Sequence, residues 1–150
     1  MIEIRNEAIK NLIQQREPMI MVDALYDVNE SEADTGLMIA NENMFCNDGI
    51  FAESGLIEHI AQSASAFVGY KALLANKTPP LGFIGEVKKC RVHFLPRVCD
   101  ELRTHISLIS EVLDVSLFAA ETKVSGETAV QCQMKIYIKP SSSFPRKTEY

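Results

Sequence analysis

The sequence predicts an α+β domain in which one antiparallel sheet curls around a single long helix. One stretch, Ser54 to Ala75, sustains a helical apolar period over many turns, and only one. Two stretches before it and four after it have the length and alternation of strands. Each strand pattern carries one apolar face, which suits a sheet with a helix on one side and solvent or a partner on the other.

In chain order, Asn6 to Gln14 forms a short amphipathic helical pattern through Ala8, Ile9, Leu12 and Ile13, a lid or packing element that Pro18 ends. Met19 to Val28 and Leu37 to Ala40 read as two antiparallel strands across a polar connection, Asn29 to Thr35. Asn41 to Glu53 has the Asn, Asp and Gly content of a shaped loop, but Met44, Phe45, Ile50 and Phe51 predict that it is partly buried at a pocket or subunit interface. Asn76 to Pro80 breaks the helical pattern. Phe83 to Leu95 then alternates with a change of parity, so a bulge is expected near Lys88. Leu102 to Val112 is the next strand, and Leu117 to Val124 and Thr128 to Lys139 flank a turn at 125 to 127. The last strand alternates most cleanly, with Val130, Cys132, Met134, Ile136 and Ile138 on one face. Residues 1 to 150 are expected to form one domain, with 141 to 150 as a frayed tail.

Within the long helix, Leu56, Ile57, Ile60, Ala61, Ala64, Phe67, Val68 and Leu74 make a broad apolar stripe. Glu58, Ala61, Gln62 and Ser65 stand at i, i+3, i+4 and i+7, so a carboxylate, an amide and a hydroxyl share one ridge beside that stripe. Small residues, among them Ser63, Ala64, Ala66 and Gly69, allow a sheet to approach closely. His59 follows Glu58 but points about 100° away, which predicts a packing or interface histidine.

Composition excludes several classes. Fifteen Lys and Arg against twenty Asp and Glu give a net charge of -5, with no basic run to track a phosphate backbone, which argues against nucleic acid. Cys46, Cys90, Cys99 and Cys132 have no CxxC spacing and the amino terminus lacks a signal-like apolar core, so a reduced, cytoplasmic protein is expected. No apolar run reaches the ~20 residues of a membrane span. No His, Cys and carboxylate spacing suggests a metal site, and no Gly-rich loop suggests a nucleotide.

ProMetIleMetValAsp at 18 to 23, AsnGlu-x-x-Phe at 41 to 45 and GluHisIleAlaGln at 58 to 62, with a weaker match over Arg91 to Leu102, resemble the hotdog-fold β-hydroxyacyl-acyl-carrier-protein dehydratases and their relatives in polyene pigment pathways. The resemblance implies a hotdog fold, a thioester substrate on acyl carrier protein or coenzyme A, and no cofactor. In that family a loop histidine removes the proton alpha to the thioester, the helix carboxylate assists departure of the β-hydroxyl, and helix N-terminal amides polarise the carbonyl. Glu58 matches the carboxylate. The histidine has no counterpart: the loop is shorter than the family form and places Asp48 where the histidine would stand.

The expected catalytic residues are therefore Glu58 and Asp48, with Gly55, Gln62 and Ser65 at the substrate. Burial would raise Glu58 toward neutrality, as an acid or base needs. The bland alternatives are a polar patch or interface ion pair for Glu58 and a turn role for Asp48. Lys88, Lys89, Arg91 and Arg97 form either a docking patch for an acidic carrier protein or a solvated edge. His93 and His105 fall on polar parity and are expected to be solvated, and Cys46 to be a small buried residue and not a nucleophile. A thioesterase and a non-catalytic subunit paired with an active dehydratase are the rival functions. The short sheet would leave open edges, so a homodimer or heterodimer with a second hotdog subunit is expected.

Overall fold

A computed structural model of the chain describes residues 2–139. Strand β1 (Glu3–Arg5) leads into a 3-10 turn at Asn6–Asn11, followed by β2 (Ala24–Tyr26) and β3 (Glu32–Met38). A two-stranded hairpin, β4 (Cys46–Asn47) and β5 (Ile50–Phe51), precedes the central helix α1 (Glu53–Leu74). Four long strands close the fold: β6 (Leu81–Val92), β7 (Glu101–Val112), β8 (Val115–Val124) and β9 (Glu127–Lys139). The seven-stranded antiparallel sheet runs β1-β2-β3-β7-β8-β9-β6, so the strand that follows the helix crosses to the far edge. The tail expected at 141 to 150 lies outside the described residues.

The core lies between α1 and the concave face of this sheet. Leu56, Ile60, Ala64 and Phe67 from the helix meet Leu102, Ile106, Phe118, Met134 and Ile136 from the strands, all buried. Phe67 and Phe118 meet edge to face with ring centroids 6.1 Å apart. The inward parity read from β9 holds, with Val130, Cys132, Met134 and Ile136 buried. The change of parity in β6 is also present. The pairing with β9 shifts register between Ile84 and Glu86 and again between Lys88 and Arg91, where Lys89 takes a left-handed φ of 50°.

Four expectations need correction. The pattern at Asn6 to Gln14 forms a 3-10 turn over Asn6–Asn11 in place of an α-helix, and Ile9, Leu12 and Ile13 make it a packing element. The close approach at Gly69 comes from this segment and not from the sheet, because a Cβ there would lie 2.0 Å from Leu12 O. Of Met19 to Val28 only Ala24–Tyr26 is a strand, since the backbone at Met19 and Met21 bonds to side chains of α1. The polar connection Asn29 to Thr35 is mostly strand: Asn29 Oδ1 accepts from the Ser31 and Glu32 amides, turning the chain early into β3.

Candidate active site

Glu58 is half-buried on α1, and its Oε2 accepts from Gln62 Nε2 at 2.8 Å. That contact is the i, i+4 neighbour relation legible in the sequence. Gln62 is itself fully buried and fully used: Nε2 also donates to Met19 O at 2.7 Å, and Oε1 accepts from the Met21 amide at 2.6 Å. The amide thus clamps the Met19–Met21 strap to the helix and holds the carboxylate in one orientation.

The same strap is held by a second side chain of the helix, one turn earlier. His59 is fully buried, and its Nδ1 lies 2.6 Å from Met21 O. A carbonyl can only accept, so Nδ1 carries the hydrogen and Nε2 accepts from the Thr104 hydroxyl at 2.7 Å. Thr104 in turn accepts from Thr122 at 2.7 Å. Burial pushes the His59 pKa down to about 4, outweighing the bond to Met21, so the ring is neutral near pH 7. The Ser63 hydroxyl donates to His59 O at 2.8 Å and accepts from Thr35 at 2.7 Å. His59 is thus a packing residue in a satisfied polar network.

Glu58 opens onto a cavity of about 310 Å³. Ala61 and Ser65 line it from the same ridge of α1, Leu81 to Ile84 from β6, Ile136 from β9, and Gln15 from the amino-terminal segment. Gly82 leaves room for it, since a Cβ there would stand 3.2 Å from Ile136 Cγ2 and 3.4 Å from Ser65 Oγ. Gln15 and the β6 residues were not foreseen. Ile136 carried a signal in its inward parity, and Gly82 in its missing side chain. Gln15 carried none.

Over the amino end of α1 sits the β4–β5 hairpin. Asp48 and Gly49 form its tip with left-handed φ values of 53° and 77°, as a two-residue turn requires. The hairpin is stapled to the loop after β6: the Phe51 amide donates to Pro96 O at 2.8 Å and the Val98 amide to Gly49 O at 3.0 Å. Phe45 and Phe51 close over Gly55, where a Cβ would come within 2.6 Å of the Phe51 ring. The Gly55 amide donates to Ala52 O at 3.0 Å, so this glycine supplies space for the two rings. Asp48 is exposed and does not line the Glu58 cavity. Cys46, expected to be buried, is only half-buried because it lies on the short hairpin at the surface, and burial still pushes its thiol pKa up, which disfavours the thiolate a nucleophile needs.

The remaining candidates are dispersed. Lys88, Lys89 and Arg91 lie on β6 and Arg97 on the following loop, and none forms an ion pair among the described residues. Lys89 faces the convex side of the sheet, near Glu121 and Gln131. His105 is exposed on that side but not merely solvated: Nδ1 is 2.7 Å from Asp34 and Nε2 2.6 Å from Glu32, and the Asp34 hydrogen bond leads in raising its pKa. His93 is exposed beyond the end of β6.

Sequence comparison decides the family: the profile of the ApeP-like proteins, described as ApeP dehydratase, matches residues 7–145. The chain belongs to the ApeP-like dehydratase family. It is 30% identical over 135 residues, 87% of this chain and 91% of the relative, to the 3-hydroxyacyl-acyl-carrier-protein dehydratase FabZ of Bacillus cytotoxicus. Among solved structures, it resembles the dehydratase heterocomplex ApeI:P from Xenorhabdus doucetiae with a TM-score of 0.83 and 16% identity, covering 89% of this chain and 92% of that one. A hypothetical thioesterase with coenzyme A from Streptococcus pneumoniae has a TM-score of 0.61 and 8% identity, covering 77% and 84%. At these identities the two structures establish the shared hotdog fold. The family assignment separates the dehydratase reading from the thioesterase one.

Proposed function

We propose that this ApeP-like chain is one half of a dehydratase for a β-hydroxyacyl chain carried as a thioester on acyl carrier protein or coenzyme A. Glu58 serves as the acid that protonates the departing hydroxyl, and a second hotdog subunit supplies the histidine that removes the α-proton. The observation that carries this reading is the placement of the three histidines. His59 is consumed by the core network, His105 lies between two carboxylates, and neither they nor His93 line the Glu58 cavity.

The open edge at β6 supports a two-subunit site. Its outer side has no strand neighbour among the described residues, and Phe83, Ile84 and Val87 on it are 48%, 41% and 36% exposed. Leu81 to Ile84 belong both to that edge and to the cavity, so a second sheet added there would close the substrate site. The fold neighbour ApeI:P is itself described as a dehydratase heterocomplex. Lys88, Lys89, Arg91 and Arg97, which have no ion-pair partner among the described residues, offer positive charge for an acidic carrier, and the four free thiols accord with the cytoplasm.

Dehydration of a β-hydroxyacyl thioester by the purified chain, followed as enoyl absorbance, tests the proposal. The chain alone is expected to be inactive, and coexpression with a hotdog subunit bearing a loop histidine to restore turnover. Activity of the chain alone that Asp48→Asn stops would transfer the base to Asp48. Rapid activity that survives Asp48→Asn would overturn both assignments.

A further inference from the structure

A second cavity lies between α1 and the sheet, beyond the one that Glu58 opens onto. It holds about 290 Å³ and has Phe67, Val68, Leu108 and Phe118 in its wall, with the exposed Lys77 and Glu111 at its mouth. The two cavities share one ridge of the helix. Glu58, Ala61 and Ser65 line the first at i, i+3 and i+7, and Val68, Ala72 and Ala75 line the second at i+10, i+14 and i+17. They are also neighbours across the sheet: Ile136 on β9 lines the first, Ser116 on β8 lines the second, and these two residues are directly paired. Ser65, the last ridge residue of the first cavity, meets the sheet over Gly82. A Cβ on Gly82 would fall 3.2 Å from Ile136 Cγ2 and 3.4 Å from Ser65 Oγ, so its missing side chain keeps a gap between helix and sheet at this point.

We propose that the second cavity receives the distal part of the substrate's acyl chain, and that Gly82, Ser65 and Ile136 form the neck that decides which chain lengths reach it. The proposal rests on the reading of the Glu58 cavity as the acyl site. From Glu58 to Val68 the helix advances about 15 Å at 1.5 Å per residue. With its β-carbon held at Glu58, a hexadecanoyl chain spans that distance and a hexanoyl chain stops short of the neck. The methylenes beyond the neck leave water for the apolar side chains of Phe67, Leu108 and Phe118, a gain that the short chain forgoes. This contact is remote from the reacting carbons and is made alike in the ground and transition states, so it acts on KM more than on kcat.

The test uses the complex reconstituted with a histidine-bearing hotdog subunit, and β-hydroxyhexanoyl and β-hydroxyhexadecanoyl thioesters of acyl carrier protein. The unaltered complex is expected to favour the long chain by about tenfold or more in kcat/KM, the value of roughly two buried methylenes, with the difference in KM. Ala72→Phe, which fills the second cavity with a ring, should bring the ratio of the two kcat/KM values close to one. Should Ala72→Phe fail to assemble in light scattering, Gly82→Ala narrows the neck by one methyl group and gives the same readout.

A complex with no preference for the long chain would overturn the proposal, as would a preference that survives the variant. An equal fall in kcat/KM for both substrates would also overturn it, because the altered residue would then support the site without sorting chain lengths. In each of these cases the unaltered complex still dehydrates its substrates and the acyl-site reading stands. Dehydration of neither substrate by the unaltered complex would overturn that reading together with the proposal.

Discussion

Thr104 and His105 are consecutive on β7, yet they belong to opposite environments, one on each face of the sheet. On the concave face Thr104 bonds to His59, whose partners are all uncharged and whose pKa burial lowers to about 4. On the convex face His105 sits between Asp34 and Glu32 in partial contact with water, and its pKa is raised. One imidazole is kept neutral by burial and the other is shifted toward its charged form by its neighbours. The concave face thus holds a fixed, uncharged lattice from which Glu58 can be aimed, while the convex face carries exchangeable surface charge.

The largest effect is expected from breaking the concave side. His59→Leu would leave Met21 O buried without its partner and reduce the Thr104 hydroxyl to its bond with Thr122, at a cost of about 3 kcal/mol in urea unfolding. The same residue sets an acid limit. Its pKa is about 4 folded against about 6.5 unfolded, so the unfolded state takes up the proton first. The stability this represents, about 3 kcal/mol in order of magnitude, is complete above pH ~6.5 and is lost as pH falls toward 4. Unfolding measured across that interval should be steeper for the unaltered protein than for His59→Leu. A parallel response would remove His59 as the cause.

His105 should behave with the opposite sign and a smaller size. Its folded pKa is raised, so its contribution is complete below the unfolded value near 6.5 and fades as pH rises through the folded one. Because the side chain is 50% exposed, screening limits His105→Gln to less than about 1 kcal/mol. The difference from the unaltered protein should be visible at pH 6 and shrink at higher pH. A difference that grew with pH would contradict the ion-pair account.

The same contrast shows what could be read from residues alone. The period of α1 and the alternation of β9 were legible because each has one wholly apolar side facing the core. The bulge in β6 was legible as a switch of parity. The first half of β3 was hidden because Thr35, an inward residue, looks polar, and only Ser63 opposite shows why it is buried. In hindsight Glu32 and Asp34 alternate with Ala33, Thr35 and Leu37, so the signal was there once a hydroxyl is allowed into the core. Of the candidate site, the Glu58, Gln62 and Ser65 ridge follows from helical spacing. The Met19–Met21 strap and Gln15 depend on long-range packing, which local periodicity does not encode.

The central claim is that Glu58, aimed from this lattice, is the acid of a site completed by another subunit. Glu58→Gln in the complex reconstituted with a histidine-bearing hotdog subunit tests it most directly, because Gln keeps the side chain's size and can stay beside Gln62 but cannot exchange a proton near neutral pH. The account predicts that the variant assembles normally in light scattering and loses about a hundredfold or more of dehydration turnover. An assembled complex that retains full turnover would contradict it.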